Sequence, residues 1–256
     1  MEQKIGEIKE KLEKTDMIDL PQTLAIYRKD SRTGVMKLVK QFDKKYEKYQ
    51  NELKRLEEML IFEKQYTNYS AICGIDEAGR GPLAGPVVAG AVILPKNLKI
   101  LYLNDSKQLS ERQREELYEE IMDKAVSVGV GIVSQKRIDQ INILQATFEA
   151  MQQAVAGLSV SPDLLLNDAV TIPQISIRQV PIVKGDAKSL SIAAASVIAK
   201  VTRDRVMVEY DKLYPKYGFA KHKGYGAKAH IEAIQKYGVS PIHRKTFLKN
   251  IVKDEI

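Results

Sequence analysis

Two adjacent carboxylates, Asp76 and Glu77, stand in a glycine-rich stretch directly after a short apolar run over residues 71–73. Removing a charge from water costs several kcal/mol unless that charge is paired or bound to a metal. Two anions side by side at the end of a predicted buried strand therefore predict a bound cation. Carboxylate oxygens are hard ligands that suit Mg²⁺ or Mn²⁺, so the pair predicts a divalent metal site.

Two further acids stand where a strand is predicted to end or a helix to begin. Asp168 follows an apolar run over residues 164–167, and Asp186 follows a glycine ahead of a long predicted helix. Acids at the strand ends of an open α/β sheet meet at one edge. Together with the adjacent pair they can hold two divalent ions about 3.5–4 Å apart, which would activate a water and stabilise the leaving oxygen of a phosphodiester. Taken alone, Asp186 also fits a helix N-cap and Asp168 a turn residue.

The elements that must position these acids alternate between strand and helix patterns after residue 70. The sequence predicts strands over residues 71–76, 86–94, 125–133, 164–168 and 176–183. It predicts helices over residues 110–124, 141–158 and 191–213, the first opened by a capping box at residues 110–113. This alternation predicts one α/β domain over residues 71–215. The catalytic region as a whole is expected to span residues 71–256 and to end in a basic helical segment.

Residues 1–70 are predicted to form a helical N-terminal extension. Its longest helix carries an apolar seam whose steps alternate between four and three residues: Val35, Val39, Phe42, Tyr46, Tyr49, Leu53, Leu56 and Leu60. We favour the interpretation that this seam packs on the chain's own body. A dimerising coiled coil and an arm that grips nucleic acid are the alternatives, and the second draws support from the lysines at 37, 40, 44, 45 and 48.

Charge is distributed unevenly along the chain, which carries +7 overall. Residues 178–253 hold 16 basic and 5 acidic side chains, a net +11, whereas residues 71–177 hold 9 and 13, a net −4. A basic surface beside an acidic centre is typical of an enzyme that acts on nucleic acid through a carboxylate metal site. The alternative is that these lysines only form solvated helix faces.

Several protein classes are disfavoured by composition. No run of 18 apolar residues occurs, and the charged N-terminus has no apolar segment typical of a secretory signal. A single cysteine, Cys73, precludes an internal disulfide and fits a reducing cytoplasm. We therefore expect a cytoplasmic protein without a membrane partner, and we expect it to be a monomer.

Five ordered blocks of the sequence resemble the signature of ribonuclease HII. They are Gly-Ile-Asp-Glu-Ala-Gly-Arg-Gly-Pro-Leu-Ala-Gly-Pro at 74–86, Leu-Asn-Asp-Ser-Lys at 103–107, Val-Lys-Gly-Asp at 183–186, Ala-Ala-Ala-Ser-Val-Ile-Ala-Lys-Val-Thr-Arg-Asp at 193–204, and His-Lys-Gly-Tyr-Gly at 222–226. The resemblance covers roughly residues 71–248. It implies an RNase H-like mixed sheet flanked by helices. It also implies metal-dependent cleavage of RNA in RNA/DNA hybrids and incision at single ribonucleotides embedded in duplex DNA.

The resemblance also implies roles for particular residues. The metal-binding acids map onto Asp76, Glu77, Asp168 and Asp186, with two Mg²⁺ or Mn²⁺ ions and products that end in 5′-phosphate and 3′-hydroxyl. Gly79, Arg80 and Gly81 would sense the ribose, whose 2′-hydroxyl distinguishes RNA from DNA, and Tyr225 would stack on the sugar just 3′ of it. We further expect Lys107, Lys184 and Ser191 to contact substrate phosphates.

The sequence departs from the family pattern at one turn near the site. Ala169 follows Asp168, where relatives usually have glycine, so the local turn is in question but the acid is not. Ribonuclease HIII is similar but resembles the chain less, since its fourth acid is typically Glu. A catalytically silent duplex-binding protein and another RNase H-like nuclease are the competing hypotheses. His222, His230 and His243 lack metal-ligand spacing and are interpreted as structural or phosphate-contacting.

Overall fold

The computed structural model describes residues 3–249 and 251. Contacts divide the chain into two compact units, with the division between Glu58 and Met59. The domain boundary after residue 70 stays a prediction. In the described residues, no helix is long and apolar enough to cross a membrane.

The N-terminal unit consists of α1 (Ile5–Lys14), α2 (Leu20–Tyr27) and most of α3 (Thr33–Met59). Val35 and Phe42, from the apolar seam of α3, are buried in one cluster with apolar residues of the two shorter helices: Ile8, Leu12, Leu20, Leu24 and Tyr27. Burying such side chains stabilises the unit by about 1.5–3 kcal/mol each. The first half of the seam thus packs on the two shorter helices of the N-terminal unit itself.

The second unit is built on a mixed five-stranded sheet with the order β3-β2-β1-β4-β5. Its strands are β1 (Ile72–Ala78), β2 (Val87–Ile93), β3 (Ser127–Val133), β4 (Leu164–Asp168) and β5 (Arg178–Ile182). β1, β2 and β3 pair antiparallel, whereas β4 pairs parallel with both β1 and β5. All five predicted strands are present within two or three residues of their predicted ends.

Two long helices, α6 (Gln135–Ala156) and α7 (Leu190–Leu213), cover opposite faces of the sheet. α7 packs on β1 and β2 at glycines, because a Cβ on Gly74 would lie 2.1 Å from the backbone of Ser191 and one on Gly90 would lie 2.5 Å from that of Ala195. Such contact brings the helix backbone against the strand that carries Asp76.

Shorter helices complete the second unit. They are α4 (Ile61–Gln65), α5 (Glu111–Lys124), α8 (Phe219–His222) and α9 (Lys228–Tyr237), with 3₁₀ turns at Ser106–Gln108, Gly185–Ala187 and Lys245–Phe247. α5 begins at the predicted capping box, where the Ser110 hydroxyl accepts from Gln113 N and the Gln113 side chain accepts from Ser110 N. The predicted start of α5 at this capping box is therefore accurate.

The largest difference from the prediction is the start of α6, which begins at Gln135 rather than residue 141. Ser134 caps this earlier start by accepting from Arg137 N. The helix is interrupted at Asn142 (φ 68°), whose side chain accepts from Leu144 N and Gln145 N and so caps a second segment. The sequence pattern detected only that second segment, because the first is a separate short helical stretch.

Candidate active site

The structure brings the four predicted acids to one edge of the sheet. Asp76 lies in β1 and is 4% exposed, and Asp168 ends the neighbouring parallel strand β4. Asp186 lies in the turn after β5, and the Gly185 N–H beside it donates to Asp168 Oδ1 at 2.7 Å. This hydrogen bond ties the turn that carries the fourth acid to the strand that carries the third.

Asp76 and Glu77 occupy a strand that neither ends nor bulges at that point, although the sequence predicted that the strand ends at residue 76. β1 keeps regular antiparallel pairing with β2 through Ala78, with Asp76 opposite Gly90 and Glu77 opposite Ala89. On its other side, however, the pairing with β4 extends only to Ile75. The backbone of Asp76 and Glu77 is therefore not paired with β4, and both residues lie just beyond the last β1–β4 pair.

Burial and mutual repulsion raise the pKa of three of these acids. Burial raises the pKa of Asp76 well above its usual value, and the charges of Glu77 and Asp168 raise it further. Burial also raises the pKa of Glu77, although the nearby Arg80 guanidinium partly offsets this. The pKa of Asp186 is raised by burial and then by Asp105 and Asp168. A cluster of buried carboxylates whose protonation is favoured in this way is a site that gains from a cation.

Two side-chain cations contact the cluster from its exposed side. Lys107 Nζ lies 3.7 Å from Asp186 Oδ2 and 3.9 Å from Asp105 Oδ1, and Arg80 Nη1 lies 3.3 Å from Glu77 Oε1. Burial lowers the pKa of Lys107, but the surrounding carboxylates outweigh this effect and raise it overall. Lys107 is 74% exposed and Arg80 is 47% exposed, so both can also reach a phosphate.

The donor set fits a hard divalent ion with open coordination positions. All four acids offer oxygen ligands, which Mg²⁺ and Mn²⁺ prefer. Within the described residues, no three or more His, Cys, Asp or Glu side chains are placed so that they hold a metal ion by themselves. Mg²⁺ commonly binds through one or two carboxylates, several waters and a substrate phosphate. The arrangement therefore fits ions whose remaining ligands are supplied by water and by the substrate phosphate.

The loop after β1 carries the predicted Gly79-Arg80-Gly81 triplet, and its two glycines have different surroundings. Gly79 has φ 96°, and a Cβ there would lie 2.1 Å from the Arg203 side chain and 2.8 Å from the Pro86 carbonyl. Gly81 has no atom within 4 Å of where its Cβ would lie. Packing thus explains why residue 79 is a glycine, whereas at Gly81 there is open space above the loop.

Tyr225 lies on a second loop that contacts this one. Gly224, its neighbour, accepts a hydrogen bond from Leu83 N at 2.8 Å. Tyr225 is 45% exposed, and its ring lies about 6 Å from the Lys200 and Arg203 cations. The structure thus brings Tyr225 beside the glycine loop and leaves nearly half of the residue exposed to solvent.

The two remaining predicted phosphate contacts differ in accessibility. Lys184 is exposed, one residue before the turn that carries Asp186. Ser191 is 2% exposed, and its N–H donates to Glu63 Oε1 at 3.0 Å inside the packing of α7 on β1. The expectation that Ser191 contacts a phosphate is therefore not supported, because its side chain does not reach the surface.

The turn after Asp168 has the strained conformation that the unusual alanine suggested. Ala169 has φ 56°, a left-handed conformation that costs a residue with a Cβ about 1–2 kcal/mol. Its N–H donates to Ile182 O at 3.0 Å, so pairing with β5 holds it there. The acid keeps its place although the turn lacks glycine.

Sequence reasoning missed several residues that shape the site. Asp105 adds a fifth carboxylate, and Ser196 hydrogen-bonds Ser106 beside the cluster at 2.8 Å. Both stand in blocks that carried the family resemblance, so their position in those blocks was the available signal. Glu63 caps α7 by accepting from the Ser189 hydroxyl and from Ser191 N, and no local pattern links it to that helix. Ser189 is the N-cap of α7, which removes the alternative role considered for Asp186.

A mixed sheet with acids gathered at the edge between β1 and β4 defines a nuclease of the RNase H-like fold. Residues 73–250 match the family model for ribonuclease HII, and residues 4–67 match that for the ribonuclease HII N-terminal domain. The chain belongs to the ribonuclease HII family. Its N-terminal helices, which the signature blocks left without a counterpart, are thus a recognised part of that family.

Relatives and solved structures agree with this assignment. Ribonuclease HII of Lachnoclostridium phytofermentans is 61% identical over 225 residues, or 88% of this chain and 89% of that protein. Ribonuclease HII of Clostridioides difficile is 53% identical over 250 residues, or 97% and 98% of the two chains. Ribonuclease H2 of Pyrococcus horikoshii superposes with a TM-score of 0.59 at 32% identity, covering 69% of this chain and 93% of that one. The protein is a ribonuclease HII endonuclease that cleaves the RNA strand of RNA/DNA hybrids and incises at embedded ribonucleotides.

Proposed function

We propose that Asp76, Glu77, Asp168 and Asp186 hold two Mg²⁺ or Mn²⁺ ions and that cleavage occurs on the 5′ side of the recognised ribonucleotide. The products would carry a 3′-hydroxyl on the upstream strand and a 5′-phosphate on the ribonucleotide. The observation that carries this proposal is the cluster of buried carboxylates with raised pKa values at one sheet edge. When bound, the ions would activate a water and stabilise the leaving oxygen.

The chain's own residues would orient the phosphate and compensate its charge. Asp76 is the most buried of the four acids, and the charges of Glu77 and Asp168 both act on it. We therefore propose that Asp76 would contribute to holding both ions. Lys107 and Arg80, which contact the rim of the cluster, and the exposed Lys184 would neutralise phosphate charge during binding.

Recognition of the ribose would fall to the loop after β1 and to Tyr225. The space above Gly81 allows the backbone N–H and C=O groups of the Gly79–Gly81 segment to approach a 2′-hydroxyl closely. The half-exposed Tyr225 ring would stack on the next sugar, where a deoxyribose fits and a ribose is crowded. The substrates are thus RNA/DNA hybrid and duplex DNA that contains ribonucleotides.

We propose that the working form is a cytoplasmic monomer. Its one cysteine, Cys73, is a buried free thiol, which suits the reducing cytoplasm.

Conservative changes in the acids test the proposal. Asp76→Asn and Asp168→Asn keep the side-chain size but remove an anionic ligand, so each should lower kcat by at least 10³-fold with near-normal substrate binding. Asp163→Asn is the matched control, because Asp163 binds the backbone N–H groups of Ser70 and Ala71 instead. Turnover of Asp76→Asn within tenfold of the wild type would contradict the proposed metal site.

A further inference from the structure

Two arginines of the second unit are fully buried although neither belongs to the acid cluster. Arg203 on α7 and Arg244 after α9 are both 0% exposed. Within the described residues, neither forms a salt bridge with a carboxylate. Burial lowers the pKa of Arg244 to about 9, and the charge of Arg203 contributes to that shift. Because a buried cation without an anionic partner is costly, the contacts that these two side chains do make are informative.

Within the described residues, the hydrogen bonds of the two guanidinium groups go to backbone carbonyls. Arg203 donates to Pro86 O at 3.0 Å, Ala84 O at 3.1 Å and Lys223 O at 2.9 Å. Arg244 donates to carbonyls on both sides of the same loop: Gly79 at 2.6 Å, Arg80 at 2.9 Å, Gly85 at 2.9 Å and Pro86 at 3.1 Å. The planar guanidinium, with five donors in a fixed fork, is suited to holding several acceptors at set distances.

The two guanidinium groups connect the two segments to which the proposed function assigns ribose recognition. Arg244 binds the carbonyls of Gly79 and Arg80, within the segment that would sense the 2′-hydroxyl. Arg203 bridges the end of that loop to Lys223, two residues before Tyr225, and its guanidinium lies 5.8 Å from the Tyr225 ring. Both arginines bind Pro86 O, so the two links share one anchor.

We propose that Arg203 and Arg244 are positioning residues that fix the spacing between the Gly79–Gly81 segment and Tyr225. This spacing sets the preference for a single embedded ribonucleotide over a continuous RNA/DNA hybrid. The inference rests on the proposed function of these two loops. In a continuous hybrid the sugar at Tyr225 is a ribose. Discrimination between the two substrates therefore depends on how rigidly the Tyr225 ring is placed relative to the Gly79–Gly81 segment. A displacement of about 1 Å is enough to change a rate by about 10².

The test compares kcat/KM for a duplex with one ribonucleotide against kcat/KM for an RNA/DNA hybrid. Arg203→Lys keeps the charge but cannot reach three carbonyls, so the ratio of the two values should fall at least tenfold, mainly through kcat on the single-ribonucleotide substrate. Arg205→Lys is the matched control on the same helix, since Arg205 is exposed and pairs with Glu115 and Glu119; its ratio should equal that of the wild type. An equal loss on both substrates would overturn the inference, because a purely structural role lowers them together.

Two further variants keep the test decisive. If Arg203→Lys does not fold, Arg244→Lys carries the test with the same expected fall, because it frees the Gly79 and Arg80 carbonyls. Tyr225→Ala separates this inference from the proposed function. If Tyr225→Ala lowers the ratio and the arginine variants do not, only the role of the arginines is wrong. If Tyr225→Ala leaves the ratio unchanged, the proposed stacking of Tyr225 on the sugar is wrong, and the inference is wrong with it.

Discussion

Gly79 and Gly81 stand two residues apart in one triplet, yet the structure gives them different reasons to be glycine. Gly79 is held at positive φ against Arg203 and the Pro86 carbonyl, whereas Gly81 faces open space. A residue whose small size serves no contact within the protein is a candidate for contact with something outside it. Substitution by alanine separates stability from recognition at these two positions.

Gly81→Ala should fold like the wild type, because the added methyl group meets no atom within 4 Å. It should nevertheless lower kcat/KM on ribonucleotide-containing duplex by at least tenfold, since the methyl group occupies the approach to the ribose. Gly79→Ala should instead lose stability by about 1–3 kcal/mol through strain and overlap. Thermal unfolding and cleavage assays on both variants check this; full activity in a stably folded Gly81→Ala would contradict it.

The acid cluster predicts that the protein is held below its greatest stability when no metal is bound. Because the pKa values of Asp76, Glu77 and Asp186 are raised, the folded state binds protons more tightly than the unfolded state. The contribution of these groups is therefore most favourable at acid pH and is lost as pH rises through their folded pKa values. Divalent ions should restore stability at neutral pH, and less so in acid.

Asp76→Asn should accordingly raise the Tm of the metal-free protein, by about 2–4 °C for each kcal/mol of repulsion relieved. It should also remove most of the increase in Tm that Mg²⁺ or Mn²⁺ gives the wild type. Calorimetry at pH 7 with EDTA and then with each ion measures both effects. A lower Tm in EDTA for Asp76→Asn would show that the Asp76 carboxylate stabilises the fold, against this interpretation.

At this scale the acids were predictable and their surroundings were not. Asp76, Glu77, Asp168 and Asp186 follow apolar runs or glycines, and those local patterns are visible in a single sequence. Arg244 gives no such signal, because its carbonyl partner at Gly79 is 165 residues away in the chain. Basic residues in a chain of net charge +7 are ordinarily exposed, so burial of an arginine can be recognised only from tertiary contacts.

Among the elements, the loop that carries Tyr225 is held by three histidines, of which His222 stacks on His230 and His230 hydrogen-bonds His243. His222 Nε2 donates to Tyr217 O, and its Nδ1 accepts from Gly224 N. His230 Nδ1 donates to Tyr225 O, so its Nε2 accepts from His243 Nε2, while His243 Nδ1 accepts from Ser240 N. Each ring thus has one donor and one acceptor, which requires all three to be neutral. The structural interpretation of these histidines is the one that their contacts support.

The neutral histidine cluster predicts a loss of stability in acid. Burial lowers the pKa of His230 and of His243 to about 4, from about 6.5 in the unfolded chain. Their contribution is therefore complete above about pH 6.5 and is lost as pH falls from there towards 4. NMR titration should show two histidine rings that remain neutral at pH 5.5. Titration of the His230 and His243 rings near pH 6.5 in the folded protein would contradict the hydrogen-bond assignment.

The elements themselves were largely predictable because their ends are marked locally. The Ser110–Gln113 capping box placed α5, and the run before Asp168 placed β4 at its observed residues. The first part of α6 was missed because Asn142 breaks the helix there, so the pattern around it is not one continuous period. The order β3-β2-β1-β4-β5 was also beyond the sequence pattern, since pairing between distant strands leaves no local mark.

At the scale of the whole molecule, the N-terminal unit presents one basic helix face. Lys37, Lys40, Lys44, Lys45 and Lys48 on α3 are all exposed, while the first half of the apolar seam of the same helix packs on α1 and α2. That packing accounts for Val35 and Phe42 but leaves the lysines unexplained by the fold. The interpretation of this unit as a substrate arm is therefore tested through the lysines rather than through the seam.

If the basic face contacts the substrate backbone, replacing Lys44, Lys45 and Lys48 by alanine should raise KM. It should also reduce the slope of log binding constant against log salt concentration by up to about three. kcat should not change, because the acid cluster is untouched. Lys9→Ala/Lys14→Ala is the control, as both lysines pair with acids on α1. An unchanged salt slope in the triple variant would assign these lysines to solvation alone.

The most direct test of the central claim is to map the nick in a duplex DNA that carries one ribonucleotide. With Mg²⁺ or Mn²⁺ the four-acid site predicts a single cut on the 5′ side of the ribonucleotide, with 3′-hydroxyl and 5′-phosphate ends and no cut in EDTA. Cleavage that persists in EDTA, or a product that ends in a 2′,3′-cyclic phosphate, would contradict it. The first result would exclude a metal-activated water, and the second would make the 2′-hydroxyl the attacking group.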